Sequence, residues 1–257
     1  MARALTDSER TRYSRQIRIP GFGEAAQGTL LDSRVLIVGM GGLGSPAAMY
    51  LAAAGVGTLV VSDFDRVETS NLQRQIIHRH ASIGEPKALS AAATLTDINP
   101  DCNVIALDYA LEQKELHEEV ETADLVLDCT DNFETRFLLN AACFATGTPL
   151  VSGAAIRTEG QLATYIPAEP RSPCYRCLHP HDLSQIETCA LEGILAPVVG
   201  IIGTLQAQQA LLVLAEKHEP LVGTLLLFAG TAMVWNRVRI PSNPECPVCR
   251  DRPLLSE

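Results

Sequence analysis

The sequence predicts an α/β protein with a mixed β-sheet, in which the N-terminal half is parallel and the C-terminal strands are antiparallel. A short apolar run at 35–38 leads into a glycine-rich turn and then a helical pattern. Apolar runs and helix-length segments alternate as far as residue 153, as in parallel sheets whose strands are connected by helices. Beyond it, strand patterns follow one another with short connections, which favours antiparallel pairing.

Length and composition limit the possible classes of function. The chain has 257 residues, of which 47% are hydrophobic, so it can bury a full core. Its formal net charge of -10 disfavours nucleic acid and anionic membranes as partners. The N-terminus has no apolar stretch behind its basic residues, so we expect no secretory signal and a cytoplasmic protein. The uncharged stretch 193–215 makes a membrane-spanning helix an alternative interpretation. Pro197 and three glutamines interrupt its apolar run and favour a buried core helix.

The individual elements follow from these patterns in chain order. Parallel strands are predicted at 35–38, 58–62, 103–107, 125–129 and 149–152, with helices at 85–97, 113–122 and 132–146. A further helix follows the glycine turn and ends at Gly55. Antiparallel strands are predicted at 161–166, 223–229 and 234–240. Residues 168–193 are predicted to form a long loop over one face, and long loops in compact domains are often functional.

The glycine turn indicates a nucleotide site of the Rossmann-like kind. Gly39, Gly41 and Gly44 fit G-x-G-x-x-G between a strand and a helix, where free backbone N–H groups at the helix start can bind phosphate. Asp63 ends the second strand, where it can accept hydrogen bonds from ribose hydroxyls. A glycine turn without a ligand remains an alternative, and NAD is the ordinary nucleotide for this pattern.

Two cations and a carboxylate favour ATP over NAD. Arg74 and Lys87 lie downstream of the second strand in a chain short of positive charge, and two cations suit a triphosphate. Asp131 follows the strand at 125–129, at the sheet edge where ligands bind, and can hold Mg²⁺ against phosphate oxygens. The alternatives are that both cations are surface charges and that Asp131 caps the helix from Asn132. Asp128, nearer the strand interior, is interpreted as structural.

Two Cys-x-x-Cys pairs predict a structural zinc site. The chain contains eight cysteines, and without an export signal these argue for metal binding or catalysis rather than disulfides. The pairs are Cys174 with Cys177 and Cys246 with Cys249, and four thiolates are a closed zinc coordination sphere. The metal would tie the loop after the sheet to the C-terminus. A redox Cys-x-x-Cys is the rival interpretation.

The remaining cysteines and the loop histidines are weaker candidates. Cys102, Cys129 and Cys143 fall in or beside apolar elements and are interpreted as buried packing residues. Cys189 lies on the long loop, where it is either a nucleophile or sulfur relay, or a bystander. His179 and His181 are loop candidates for metal or acid–base chemistry, although four cysteines already fill the zinc site, so a solvated loop is the favoured interpretation.

Long segments of the chain resemble the MoeB/ThiF family of ubiquitin-activating-like adenylyltransferases. The segments that carry the resemblance are RYSRQI at 12–17, VLIVGMGGLGSPAAMYLAAAGVGTL at 35–59, DFDRVETSNLQRQ at 63–75, LVLDCTDN at 125–132, PLVSGAAIRTEGQ at 149–161, CYRCL at 174–178 and the closing CPVC. Within the family, SGAAIRTEGQ and ETCALEGILAPVVGIIGTLQA are more similar to the molybdopterin branch than to the thiamine branch.

The resemblance implies a set of nucleotide-binding and catalytic residues. The implied ATP-binding residues are Gly39, Gly41, Gly42, Gly44, Asp63, Ser70, Asn71, Leu72, Gln73, Arg74, Lys87, Asp131 and Asn132. The implied catalytic residues are Arg15, Arg74, Lys87 and Asp131, the last serving Mg²⁺, with Cys189 as a further candidate. The resemblance also implies a homodimer in which Arg15 reaches into the partner's site, whereas the sequence alone makes Arg15 an ordinary surface charge.

The activity that the resemblance implies is ATP-dependent adenylylation of a small ubiquitin-like sulfur-carrier protein at its C-terminal glycine carboxylate. The carrier would end in Gly-Gly and serve molybdenum cofactor biosynthesis, with the thiamine-pathway carrier as the alternative. The implied organisation is one domain over 1–257, with a helical arm at 1–30, a nucleotide-binding part at 31–166 and a zinc, crossover-loop and carrier-binding part at 167–257. An NAD-dependent oxidoreductase and a non-catalytic binding module are the rivals from other classes.

Overall fold

One mixed β-sheet with helices on both faces forms the framework of the computed structural model, which describes residues 3–170, 172–180, 192–217 and 221–250. The strands are β1 Arg34–Val38, β2 Thr58–Ser62, β3 Asn103–Leu107, β4 Leu125–Asp128, β5 Leu150–Ile156, β6 Glu159–Tyr165, β7 Thr224–Ala229 and β8 Val234–Arg239. Across the sheet they lie in the order β3–β2–β1–β4–β5–β6–β7–β8. The strands from β3 to β5 in this order pair in parallel, and those from β5 to β8 pair antiparallel, which confirms the predicted fold class.

The helices are short in the N-terminal arm and longer between the strands. Their bounds are α1 Asp7–Arg12, α2 Ser14–Ile17, α3 Gly23–Asp32, α4 Gly44–Ala54, α5 Lys87–Ile98, α6 Gln113–Glu121, α7 Phe133–Thr146, α8 Tyr175–Leu178 and α9 Ala196–Leu214. As predicted, α4 ends at Gly55, whose φ of 88° is the left-handed conformation that glycine adopts most easily.

The boundaries differ from the sequence prediction where tertiary contacts extend or add an element. β5 continues to Ile156, beyond the predicted end at residue 152, because β6 pairs with it up to Ile156 opposite Glu159. The predicted loop at 168–193 contains α8, whose first N–H, that of Tyr175, donates to the Asn140 side chain on α7 at 2.8 Å. Such contacts between distant segments leave no local pattern in the sequence.

Alternate residues of the central strands face two different hydrophobic clusters. Val35 and Ile37 of β1 pack with α4, α5 and α9, whereas Leu36 and Val38 pack with α6, α7 and the cysteine-rich segments. These four side chains are at most 9% exposed. Both faces of the parallel half are therefore covered, as in doubly wound folds.

The long apolar helix α9 is a core helix, as predicted, although its length and composition would also allow it to cross a membrane. It packs against the sheet through side chains such as Val198 and Ile202, which are at most 2% exposed. Gln206, one of the residues that interrupt the apolar run, donates through Nε2 to the Asp128 and Val151 carbonyls at 2.7 and 3.2 Å. The buried amide thus ties α9 to the last residue of β4 and to the start of β5.

Candidate functional site

The candidate site lies at the carboxyl edge of the parallel strands, between β1 and β4. The chain leaves β1 toward β2 and β3 on one side, and β4 lies on the other, so a crevice opens where the strand order reverses. A cavity of about 340 Å³ occupies this crevice. Of the predicted nucleotide-binding residues, it is lined by Gly39, Gly41, Gly42, Asp63, Arg74, Lys87, Asp131 and Asn132.

The glycine turn needs its glycines for two different reasons. Gly39 has a φ of 95°, and a Cβ there would lie 2.6 Å from the Cys129 carbonyl oxygen, so close packing against β4 also excludes a side chain. Gly44 is the first residue of α4, and a Cβ there would overlap the Gly39 carbonyl oxygen. Gly44 is absent from the cavity lining, and therefore shapes the turn rather than contacting a ligand directly.

Asp63 supports the turn from the end of β2. Its Oδ2 accepts from the Met40 N–H at 2.8 Å, and its Oδ1 accepts from the Asp65 N–H at 2.9 Å. Burial raises the pKa of Asp63, while Lys87 and the two N–H donors lower it. Each carboxylate oxygen retains a further lone pair, so the predicted hydrogen bonds to ribose hydroxyls are still available.

The two predicted cations both reach the cavity, and each already has a partner. Lys87 is 6% exposed, and its Nζ lies 2.8 Å from Oδ2 of Asp65. Arg74 donates to the Ser70 carbonyl at 3.2 Å. The alternative that both are ordinary surface charges does not fit Lys87, because a buried ammonium needs compensating charge.

Asp131 lines the cavity immediately after β4, and it does not cap α7. The cap is Asn132, whose side-chain oxygen accepts from the Thr135 N–H at 2.9 Å. The N-cap interpretation of Asp131 is therefore wrong. Its carboxylate is exposed and has no hydrogen bond or ion pair within the described ranges, so it is free to take a cation.

A buried network fixes the backbone beside Asp131. Asp128 is 1% exposed and accepts from the Thr130 hydroxyl at 2.7 Å, from the Thr130 N–H at 3.1 Å and from the Ser152 hydroxyl at 2.6 Å. Arg136 lies 3.6 Å from the Asp128 carboxylate, and also donates to the Thr130 and Gly153 carbonyls. Asp128 thus has the structural position that was predicted for it.

Besides Gly44, five predicted residues lie away from the cavity lining within one chain. Ser70, Asn71, Leu72 and Gln73 form the turn that leads to Arg74 and do not line the cavity, and neither does Arg15. Asn71 is occupied locally, since its side-chain oxygen accepts from the Glu68 N–H at 3.0 Å. Arg15 is exposed on α2. The contacts of these residues with a nucleotide remain predictions.

A second cavity of about 430 Å³ adjoins the first along the same edge of the sheet. The two cavities share Asp131, Arg136, Ala154 and Ala155. The rest of its lining is largely apolar and comes from the ends of β5 and β7, the start of β6, and α7 and α8, including Ile156, Leu227, Ala229, Phe133 and Tyr175. The second cavity therefore meets the first beside Asp131.

The four predicted metal ligands converge in one cluster, which joins α8 to the segment after β8. The sulfur atoms of Cys174, Cys177, Cys246 and Cys249 all lie within 4.8 Å of one another. Three of the distances are 3.5, 3.5 and 3.9 Å, and sulfurs bound tetrahedrally to one zinc ion lie about 3.8 Å apart. The donor set therefore fits zinc and can link two distant parts of the chain.

Hydrogen bonds within the cluster favour a thiolate at Cys177, whereas contact with Cys177 and burial raise the pKa of Cys174 and Cys249. Hydrogen bonding from Cys174, then from the Cys174 and Asn243 N–H groups, lowers the pKa of Cys177 to about 4 against the effect of burial. A thiolate held in this way is a ready metal ligand. A redox Cys-x-x-Cys pair needs a cysteine that its substrate can reach. Here Cys174, Cys246 and Cys249 are at most 4% exposed, which disfavours the redox interpretation.

The other described cysteines are buried, as predicted. Cys102, Cys129 and Cys143 are at most 6% exposed, and burial raises the pKa of all three, that of Cys102 to about 11. Thiols of this kind are poor nucleophiles at neutral pH. Cys189 and His181 lie outside the described residues. His179 contacts the Tyr175 and Phe133 rings at centroid distances of 4.7 and 5.8 Å, so the solvated-loop interpretation is wrong for it.

Several cavity residues were missed by the sequence reasoning. Asp65 pairs with Lys87, Arg136 lies between the two cavities, and Val199 of α9 faces Gly42. The proximity of Asp65 to Asp63 in the sequence was an available signal for the first. Arg136 and Val199 carry no such signal, because their positions depend on how α7 and α9 pack.

The chain matches the ThiF family over residues 13–248. It is 46% identical over 245 residues to the molybdopterin-synthase adenylyltransferase of Escherichia coli, covering 95% of this chain and 98% of that protein. It is 45% identical to the SAMP-activating enzyme E1 of Haloferax volcanii, covering 97% and 92%. It is likewise 45% identical to the sulfur carrier protein ThiS adenylyltransferase of Escherichia coli, covering 95% and 97%.

Solved structures show the same fold at lower identity. Escherichia coli MccB with ATP superposes with a TM-score of 0.80 at 22% identity, covering 93% of this chain and 74% of that one. The complex of Escherichia coli MccB with AMPCPP and MccA gives a TM-score of 0.79 at 21% identity, covering 95% of this chain and 76% of that one. Because the family model covers residues 13–248 and near full-length relatives are 45–46% identical, the chain belongs to the ThiF family.

Proposed function

We propose that this protein is an adenylyltransferase that transfers AMP from ATP to the C-terminal glycine carboxylate of a small ubiquitin-like sulfur-carrier protein. The observation that carries the proposal is the pair of adjoining cavities at the carboxyl edge of the sheet, which meet at Asp131 and Arg136. One cavity has the groups for a nucleotide, and the other has the apolar lining for a peptide tail. The closely similar relatives are named as adenylyltransferases or activating enzymes.

In the proposed reaction a carboxylate oxygen of the carrier attacks the α-phosphorus of ATP. The bond from that phosphorus to the bridging oxygen breaks, pyrophosphate leaves with the bond's electron pair, and a carrier acyl-adenylate forms. Both reactants are anions, so fixed positive groups and backbone dipoles are the main catalytic resource. Arg74, Lys87 and the N–H groups at the start of α4 supply them, and no general base is needed because the carboxylate is already ionised near pH 7.

Asp131 is the proposed ligand for Mg²⁺, and its position fits that role. Its carboxylate is exposed to both cavities, and oxygen ligands are those that Mg²⁺ prefers. Bound there, Mg²⁺ would neutralise charge on the phosphate oxygens. Arg136 and Asp128 hold the backbone of the preceding residue, and so fix where the Asp131 carboxylate points.

The carrier's tail is proposed to enter through the second cavity. Ala154 and Ala155, shared by both cavities, have small side chains at the junction, where a Gly-Gly tail without side chains can pass. We favour the carrier of molybdenum cofactor biosynthesis, on the sequence patterns within β5, β6 and the α9 region. The thiamine-pathway carrier is the alternative, since relatives of both kinds are similarly identical to this chain.

We further propose a cytoplasmic homodimer acting as one domain per chain, with Arg15 completing the partner's site. Arg15 is exposed and does not line the cavity of its own chain, which suits a role in the other subunit. Two large apolar side chains are exposed and could form a subunit interface. They are Ile19, four residues after Arg15 and 52% exposed, and Tyr50 on α4, 56% exposed.

The direct test is ATP–pyrophosphate exchange with each carrier, followed by mass spectrometry of the carrier. We expect exchange that requires the molybdopterin carrier, and a mass increase equal to AMP on that carrier. An adduct on the thiamine carrier alone would reassign the pathway. Binding of NADH with no exchange for either carrier would reject the adenylylation proposal.

Complementation tests the shared site. R15A and D131N are each expected to be inactive as homodimers, and subunits of the two are then mixed and allowed to exchange. If Arg15 acts in the partner's site, one site of each mixed dimer is intact, so about a quarter of all sites regain activity at equal ratio. If both residues act within one chain, mixing restores nothing.

A further inference from the structure

His78 lies under the glycine turn, and nothing in the proposed chemistry uses it. It is 6% exposed, and its Nε2 lies 2.9 Å from the carbonyl oxygen of Met40. The N–H of the same Met40 donates to Asp63 at 2.8 Å. The backbone of Met40, between Gly39 and Gly41, is therefore held on one side by a carboxylate and on the other by an imidazole.

The other ring nitrogen begins a chain of hydroxyl groups. Nδ1 of His78 lies 3.0 Å from the Ser90 hydroxyl oxygen on α5, and that oxygen lies 3.0 Å from the Ser82 hydroxyl oxygen. The Ser82 hydroxyl donates to the Arg79 carbonyl at 2.8 Å. His78, Ser90 and Ser82 thus connect the glycine turn to the backbone of the turn before α5.

Counting the protons in this chain shows which form of His78 completes it. A carbonyl only accepts, so Nε2 must carry a proton to reach Met40. Ser82 uses its one hydroxyl proton on the Arg79 carbonyl, so the contact between Ser82 and Ser90 must use the proton of Ser90. Nδ1 must then be protonated as well to donate to Ser90. The imidazolium makes every bond at once, whereas neutral His78 gives up one of them.

The charged groups that face His78 act on its pKa in both directions, and the net effect is a lowering that favours the neutral form. Burial, and then Lys87 at the start of α5, lower the pKa of His78, whereas the bond to Met40 and the Asp63 carboxylate at the end of β2 raise it. Lys87 is itself paired with Asp65. Phosphate groups bound over the turn would add negative charge close to His78 and engage Lys87. Both effects favour the imidazolium.

We propose that His78 is a positioning residue of the phosphate-binding turn, and that it takes up a proton when nucleotide binds, which locks the turn through Met40 on one side and Ser90 and Ser82 on the other. The inference rests on the proposed function, because it takes ATP to be the ligand of this turn. His78 touches neither the nucleotide nor the reacting atoms, and its effect passes through the backbone of Met40.

The test is calorimetric titration with Mg²⁺ and ATP at pH 7.2, without carrier, in PIPES and in Tris, whose ionisation enthalpies differ. For the unaltered protein we expect uptake of roughly half a proton or more per nucleotide bound. H78Q keeps a donor for Met40 but cannot titrate, so its extra proton uptake should vanish and its Kd should rise by less than that of H78F. H78F removes both bonds, and should weaken binding by roughly tenfold.

Two hydroxyl variants on α5 separate the proposed role from general stabilisation. S90A removes the acceptor for Nδ1, and should reduce the proton uptake. T94V is the matched control, because Thr94 also donates from α5, at 2.9 Å to the Ile77 carbonyl, without touching His78. We expect T94V to leave both proton uptake and Kd unchanged.

The outcomes distinguish this inference from the proposed function. Proton uptake that is the same in H78Q and S90A as in the unaltered protein overturns the role of His78 and leaves the proposed function intact. Failure of the unaltered protein to bind ATP overturns both. Thermal unfolding shows whether H78F folds, and if it does not, H78Q and S90A decide the question.

Discussion

The parallel and the antiparallel halves of the sheet build their binding groups in different ways. In the parallel half the groups come from strand ends and a helix start: Asp63 follows β2, Lys87 is the first residue of α5, and Asp131 follows β4. In the antiparallel half, four cysteines from two distant segments converge, and β5, β6 and β7 give an apolar cavity. The ends of strands and helices place the groups of the parallel half, whereas the convergence of distant segments places the cysteines of the antiparallel half.

The difference teaches where each half is vulnerable. Loss of the Asp131 charge should impair the reaction and leave the fold unaffected, since Asp131 is exposed and supports no packing. A ligand lost from the cysteine cluster should impair the fold, because it joins α8 to the segment after β8. Gln206 supports the boundary between the halves, since it donates to backbone carbonyls of β4 and of β5, the strand that both halves share.

The largest effect should follow removal of the metal from the cysteine cluster. C246S leaves three ligands, so we expect zinc content to fall and the thermal midpoint to drop by roughly 10 °C, about 4 kcal/mol for a chain of this size. Metal analysis and thermal unfolding measure both. C102A, a buried thiol outside the cluster, is the control and should retain zinc. Unchanged stability in C246S would remove the distinction between the two halves.

The next effect is loss of the Asp131 carboxylate. D131N keeps the shape of the side chain but removes the charge that holds Mg²⁺, so we expect exchange to fall about a thousandfold, the size of effect seen when one transition-state contact is removed. The thermal midpoint should stay the same. E134Q, an exposed acid in the first turn of α7, is the control and should keep full activity. Comparable losses in both variants would argue against a specific role for Asp131.

A smaller effect should separate the two cavities. Ala229 ends β7 and lines the second cavity without lining the first, so A229W should obstruct the carrier's tail and spare the nucleotide. We expect the KM for the carrier to rise about tenfold, with an unchanged Kd for ATP. Steady-state exchange and calorimetry give the two values. A229S is the matched control, and equal weakening of ATP binding in A229W would contradict separate routes.

The smallest effect concerns Cys189. If the protein stops at the acyl-adenylate, the thiol takes no part in exchange, and C189A should show the same rate as the unaltered protein. Pyrophosphate exchange measures it, with zinc content as the control. Loss of exchange at normal zinc content would show that the cysteine contributes to adenylylation itself.

Sequence alone determined the features that depend on short spacing. These features are the alternation of strands and helices, the glycine turn and the cysteine pairs. Each depends on residues a few positions apart, because local backbone geometry and the size of one metal coordination sphere fix the required spacing. The same reasoning identified Asp63, Arg74, Lys87 and Asp131, which the structure brings to one cavity.

Tertiary structure alone decided what depends on contacts between distant segments. The pairing of Lys87 with Asp65, the place of Arg136 between two cavities, the His78 contact with Met40 and the second cavity all join residues that are well separated along the chain. Burial and hydrogen bonding across such distances set the charge and position of each group, and a linear pattern carries no record of them. Asp131 shows both sides, since its strand end was predicted from the sequence but its freedom to bind a cation was decided by Asn132 taking the cap.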